Sequence, residues 1–198
     1  MKKLLTVLIC AGILGMAGVT HAQTQKGNLM IGSQLANIGG VFQNNSNEFD
    51  FSITPSIAYF IHDNLALGGM LNLGLEAPKG APTTFTYGIG PWARYYFATP
   101  EELDFSKHAA FFLDGFVGFQ GENHSKGGGS TNGLGIKVGP GVSYFITPNV
   151  ALDAALDYNV VIGFGNATTV NRLAINLGFQ IFLPTGKLKE RYHEETNQ

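Results

Sequence analysis

Residues 65–75 read Leu65-Ala66-Leu67-Gly68-Gly69-Met70-Leu71-Asn72-Leu73-Gly74-Leu75. The odd positions are leucine except for Gly69, and the even positions are Ala, Gly, Met, Asn and Gly. A helix would scatter these residues around its circumference. A strand sorts them onto two unlike faces, because successive side chains point to opposite sides. Residues 49–60 repeat the pattern, with Phe49, Phe51, Ile53, Pro55, Ile57 and Tyr59 against Asp50, Ser52, Thr54, Ser56 and Ala58. It recurs in 84–97, 109–120, 132–145, 150–160 and 170–183. It is weaker over about 27–36, where Leu29, Ile31 and Ser33 share a face. The spacing predicts eight strands of about 10 to 14 residues, close to what a tilted membrane strand needs.

One face is bulky and the other small, mostly Gly, Ala, Ser and Asn with a few charges. A secreted soluble barrel also alternates, but turns its large residues inward and its polar ones to water. Here the small face suits the packed interior of a narrow barrel, which assigns the bulky face to lipid. Composition points the same way, since only 13% of residues are charged, about half the usual share. Beyond the leader no segment has 18 consecutive apolar residues, so spanning requires a closed barrel, the form that satisfies every backbone group in hydrocarbon. The expected fold is all-β: an eight-stranded antiparallel up-and-down transmembrane β-barrel.

The ends define the domain plan. Met1-Lys2-Lys3, an apolar run to about Val19 and a small-x-small site ending at Ala22 predict a cleaved signal peptide over 1–22. The barrel is expected over 23–183, and a short polar periplasmic tail over 184–198. The single cysteine, Cys10, lies in the leader, which excludes thiolate catalysis, disulfides and cysteine metal sites from the mature chain. Without Lys2 and Lys3, ten of the twelve basic residues face fourteen acidic ones. No basic stripe exists, and no nucleic-acid partner, cofactor or metal is expected.

Ile61-His62-Asp63-Asn64 and Ile146-Thr147-Pro148-Asn149 predict tight turns. The connections around 37–47, 76–83, 121–131 and 161–169 predict longer loops at the other end, the outer-membrane arrangement with periplasmic termini. Ala98 to His108 is the exception on the periplasmic side, with a possible helical turn at Pro100–Leu103. An internal repeat reinforces this layout: Pro55…Tyr59-Phe60-Ile61…Asn64-Leu-Ala66-Leu67 recurs 85 residues later as Pro140…Tyr144-Phe145-Ile146…Asn149-Val-Ala151-Leu152. A partial copy is Pro91-Trp-Ala-Arg-Tyr95-Tyr96-Phe97. The strand-end aromatics Tyr59, Phe60, Tyr95, Tyr96, Phe97, Tyr144 and Phe145 predict a periplasmic aromatic girdle, where amphipathic rings prefer to sit. The mid-strand prolines predict a bulge or kink, since proline cannot donate to a ladder.

Parity puts Arg94, Asp114, Lys137, Asp153, Asp157 and Arg172 on the small face, away from lipid, where Arg or Lys would cost about 2–4 kcal/mol. Counting from the loop centres sets Asp114 opposite Lys137, Asp157 opposite Arg172 and Asp153 opposite Asn176. Arg94 then reaches Asp114, and Lys137 reaches Asp157, on the diagonal. This predicts an ion-pair ladder filling the lumen, Arg94–Asp114–Lys137–Asp157–Arg172, against the alternative of isolated solvated charges.

The descending-strand motif, Pro-x-x-x-Tyr-[Phe/Tyr]-[Ile/Phe] followed by Asn-x-Ala-Leu, is similar to that of small outer-membrane barrels. These are the relatives of outer membrane protein A, the opacity-type proteins and the barrels abundant in Bacteroidota. The resemblance covers essentially residues 27–183. Asn176, Gly178, Ile181 and Leu183 of the last strand resemble the signal read by the barrel assembly machinery, although the chain continues past it. The peptidoglycan-binding domain often carried by larger relatives is not expected here.

Four functions are compatible with such a barrel to different degrees. A non-enzymatic envelope barrel, structural or surface-interacting, fits best, located in a Gram-negative outer membrane. Its expected partners are outer-membrane lipid and lipopolysaccharide, the assembly machinery during biogenesis, and an unidentified ligand of the loops. A lipid A-modifying enzyme would need a histidine near the outer rim. Only His124 qualifies, beside Glu122, Ser125 and Ser130 in a Gly127-Gly128-Gly129 loop that preorganises poorly. An open diffusion channel conflicts with eight strands, whose interior side chains fill, and a pore reading is left with low, infrequent conductance past the small glycines. Phe42, Phe119 and Phe164 offer the loops a nonspecific adhesive surface.

Overall fold

The computed structural model describes residues 22–43, 46–78, 82–97, 108–125, 130–165 and 169–185, with the backbone alone at 22, 36–43 and 46–50. The predicted leader (all but Ala22), the turn proposed at 100–103 and the tail beyond 185 lie outside these residues. Eight strands follow a short 3-10 turn at Ala22–Thr24: β1 Leu29–Gln43, β2 Ser46–His62, β3 Leu65–Pro78, β4 Thr84–Tyr96, β5 Ala109–His124, β6 Ser130–Thr147, β7 Val150–Gly163 and β8 Val170–Leu183. Each pairs antiparallel with the next, and β8 pairs with β1 to close the barrel.

The two faces separate as their chemistry demands. Outward residues include Leu67, Leu71, Ile89, Leu113, Ile136, Leu152 and Ile175, all exposed. Their immediate neighbours Ala66, Met70, Asp114, Lys137, Ala151 and Asn176 are buried inside. The outer face carries aromatics near both ends. Tyr59, Tyr95 and Tyr144 stand beside the tight turns, and Phe85, Tyr87 and Phe119 form a ring cluster further up β4 and β5. Tyr95 and Tyr87 are eight residues apart, which at about 3.3 Å per residue and about 40° of tilt is roughly 20 Å, near the height of a lipid-facing band.

The strands run longer than alternation predicts. The expected loop 37–47 is mostly strand, since β1 continues to Gln43 and β2 begins at Ser46. The other three predicted long loops also shrink, because β3 reaches Pro78, β5 reaches His124 and β7 reaches Gly163. Gly-, Asn- and Ser-rich sequence hides these extensions, which project beyond the lipid-facing band and need no apolar face.

The prolines also correct expectation. Register runs unshifted past Pro55, Pro91 and Pro140. On the side of the following strand the ladder omits two pairs at each proline, between Ile53 and Ser56, Ile89 and Trp92, and Val138 and Gly141. The lost donor interrupts the ladder locally, while the fixed φ suits an extended chain. The register shifts fall elsewhere, at Ala36/Gly39, Phe60/His62 and Phe145/Thr147. The last two occupy matching places in the internal repeat.

Candidate functional site

The candidate site is the lumen. Arg94 points inward with Trp92 and Tyr96, and pairs across the β4–β5 ladder with Asp114 directly, not on the diagonal. Its Nε and Nη2 donate to the two Asp114 carboxylate oxygens at 2.7 and 2.9 Å, a bidentate fork. Nη1 crosses the lumen to Asp153 Oδ2 on β7 at 2.5 Å and also donates to the Tyr96 hydroxyl at 3.2 Å. The guanidinium lies 3.6 Å from the Phe112 ring centroid, with Trp92 and Tyr96 further out. A planar, weakly hydrated cation suits such a slot better than an ammonium would. Ser143 donates to the second Asp153 oxygen at 2.6 Å.

The charges continue upward through a residue the sequence reading missed. Gln34 on β1 donates from Nε2 to Asp114 Oδ2 at 3.4 Å and accepts from Lys137 Nζ at 3.3 Å. Lys137 reaches Asp157 diagonally at 3.1 Å, and Asn176 Nδ2 donates to Asp157 at 2.5 Å. The connected series is therefore Asp153–Arg94–Asp114–Gln34–Lys137–Asp157–Asn176.

Two registers differ from those counted off the loops. Asp114 faces Gly139 and Lys137 faces Phe116; Asp157 faces Ala174 and Arg172 faces Asn159. Asp153 faces Gly178, not Asn176. Each error is two residues, because the loops are not centred on their hairpins. Two residues preserve parity, so the facing direction survives while the partner changes. Arg172 leaves the series: it is half exposed and lies 3.7 Å from Glu122. Gln34 could have been found by parity, sitting two residues from the inward Gly32, but it is neutral and lies in the weakest strand.

Below this network the lumen is not small and polar, as expected, but aromatic. Phe60, Tyr96, Phe112, Phe145 and Phe182 pack around Met30 at the tight-turn end, with ring centroids 5.3 to 6.2 Å apart. The predicted girdle therefore splits. Tyr59, Tyr95 and Tyr144 face outward, while Phe60, Tyr96 and Phe145 turn inward as the floor. Adjacent strand residues cannot share a face, so each Tyr-Phe or Tyr-Tyr pair serves both sides. Phe97 stands just past β4, edge-on to Tyr95 at 5.2 Å.

Above the network a cavity of about 320 Å³ is lined by Thr54, Asn72, Gln120, Lys137, Asp157 and Arg172 among others. At its upper edge His124 Nδ1 lies 3.0 Å from Thr84 Oγ1, while Glu122 is engaged by Arg172. Of the assembly-signal residues, Asn176 is buried against Asp157 and Ile181 faces out. Leu183 pairs with Leu29 at the closing seam. A side chain at Gly178 would strike the Ser33 carbonyl.

A closed eight-stranded barrel, bulky outside and charged within, defines the class: the chain has the fold of the small outer-membrane β-barrels. Residues 117–182, from mid-β5 through β8, match the family described as Opacity family porin protein. Neisserial surface protein A is 22% identical with a TM-score of 0.58, covering 78% of this chain and 95% of that one. OprG from Pseudomonas aeruginosa is 10% identical with a TM-score of 0.51, covering 81% and 98%. The N-terminal barrel domain of Pseudomonas aeruginosa OprF is 19% identical with a TM-score of 0.50, covering 80% and 98%. No functionally curated protein matches the chain in sequence.

Proposed function

We propose that this chain is a non-enzymatic barrel of the Gram-negative outer membrane, delivered by its cleaved leader, that serves as a closed scaffold for its far end. The observation that carries this reading is the lumen: an aromatic floor topped by a fully buried Arg94 held between two carboxylates. Such a plug supports side chains at the far rim and, among the described residues, separates the upper cavity from the tight-turn end. The tight-turn end faces the periplasm and the extended strand ends project outward. Asn176, Gly178, Ile181 and Leu183 engage the assembly machinery, and lipid with lipopolysaccharide surrounds the outer face. The ion-pair series, in this reading, holds the lumen shut and the wall rigid.

The test combines two measurements on the full chain. The folded protein should fractionate with the outer membrane and migrate faster on gels before heating than after. In planar bilayers it should give no steady large conductance. A soluble periplasmic product, or stable large channels, would overturn the proposal. A porin-like role has support in the described name of the matched family and in the polar cavity. It would require the floor to open, and would show as brief, small conductance steps.

A further inference from the structure

The barrel is not closed equally all the way up. Every pair of sequence-adjacent strands forms eleven or more register pairs, but β1 and β8 share only seven, from Leu29–Leu183 to Leu35–Leu177. Among the described residues, no register pair joins β1 to β8 above that point, although β1 continues to Gln43 and β8 begins at Val170. The cause lies in β1. Its register against β2 shifts by one residue between Ala36 and Gly39, immediately above the last pair with β8. A bulge bends its strand and increases the local twist, so β1 leaves β8 where the bulge begins.

Three further observations meet at this seam. The outer side chains of upper β8, Leu173, Ile175 and Leu177, are 65%, 72% and 62% exposed, above every other large apolar residue of the wall among the described residues. Leu173 pairs with Tyr158, an exposed aromatic, so the gap falls within the upper part of the apolar belt. The inward residues of the same stretch, Val170, Arg172, Ala174 and Asn176, line the polar cavity.

We propose that the seam above Leu35 and Leu177 is a lateral slot between the outer leaflet and the lumen cavity, and that it seats a single-chain amphiphile with a zwitterionic head. The inference rests on the membrane reading given above. Unpaired strand edges find no partners in hydrocarbon, so their N–H and C=O groups need a polar group brought to that depth. A phosphate-bearing head supplies acceptors for the free N–H groups. The cavity wall carries two ion pairs, Lys137 with Asp157 and Arg172 with Glu122, and one further carboxylate, Glu76, among neutral Asn, Gln and Thr. With one negative charge in excess, that lining disfavours an anionic head and favours one whose phosphate is accompanied by its own cation. The tail then leaves through the slot along Leu173, Ile175 and Leu177.

The mature sequence contains no cysteine, so disulfides report the seam directly. Continuing the β1–β8 register would set position 37 opposite 175. In phosphatidylcholine vesicles, N37C/I175C should form little intramolecular disulfide, while the control S33C/F179C, taken from an observed pair, should form it nearly completely. Lysophosphatidylcholine carrying a nitroxide on its head should quench Trp92, the single tryptophan, saturably. A bis-maleimide bridge across 37 and 175 should reduce that quenching at least threefold. Spontaneous closure of the 37–175 disulfide would overturn the slot. Quenching that is unchanged by the bridge would overturn lateral entry. Covalent dimers of I175C alone would assign the edge to a second copy instead. Loss of the heat-dependent gel shift in the parent chain would instead refute the membrane reading itself.

Discussion

The lower and upper halves of one lumen solve the same filling problem with opposite chemistry. At the tight-turn end, rings and Met30 pack against one another, and Arg94 is admitted only because two carboxylates, a hydroxyl and three ring faces surround it. Above Gln34 the walls carry amides, hydroxyls and short side chains, and leave a cavity. A charge in the lower half is thus dependent on all its partners, whereas one in the upper half borrows from the cavity. The general lesson is that polarity of a lumen is set layer by layer and not by the average of its face.

The largest expected effect breaks this contrast at its boundary. Arg94→Ala leaves Asp114 and Asp153 buried without a counter-charge and should cost about 3–5 kcal/mol. Urea titration in vesicles, followed by the gel shift of the folded form, measures it. Replacing all three residues together by leucine should recover most of that loss, since an apolar layer would then rest on an apolar floor. If the triple variant is as unstable as Arg94→Ala, the boundary is polar for reasons other than charge pairing.

A second comparison sets neighbours against each other. Phe60→Ala should cost about 3–5 kcal/mol by opening a cavity in the floor. Tyr59→Ala, one residue away on the outer face, should cost about 1 kcal/mol or less, because lipid fills the space it leaves. The same titration checks both. Smaller still, Lys137→Met at the cavity base should cost about 1–2 kcal/mol, as water can reach Asp157 from above. Gln180→Met should reverse the sign. This amide is fully buried in the lower half with no hydrogen-bond partner at either end among the described residues, so its removal should stabilise by about 1 kcal/mol.

Alternation made the strands and their facing directions legible, because parity survives errors of register. Leu65 to Leu75 alone fixes which side of β3 meets lipid. Three things were not legible. The aromatic pairs looked like one girdle because both residues prefer interfaces, and only strict alternation sends Phe60, Tyr96 and Phe145 inward. Ladder partners required hairpin centres that loop composition does not reveal, hence the two-residue offset at Lys137. Gln34 carries no charge to attract notice, yet it joins two charged groups from across the sheet.

The Arg94–Asp153 contact also constrains the order of assembly. Arg94 and Asp114 are strand neighbours and can meet as soon as the β4–β5 hairpin forms. Asp153 arrives on β7, fifty-nine residues after Arg94 and from the opposite wall, so it can close on the guanidinium only when the sheet has curled. Until then Arg94 keeps water on one side, and the nascent sheet carries an exposed cation at its concave surface. Dehydration of a single side chain thus coincides with the passage from curved sheet to cylinder, making it a marker for the late step of insertion.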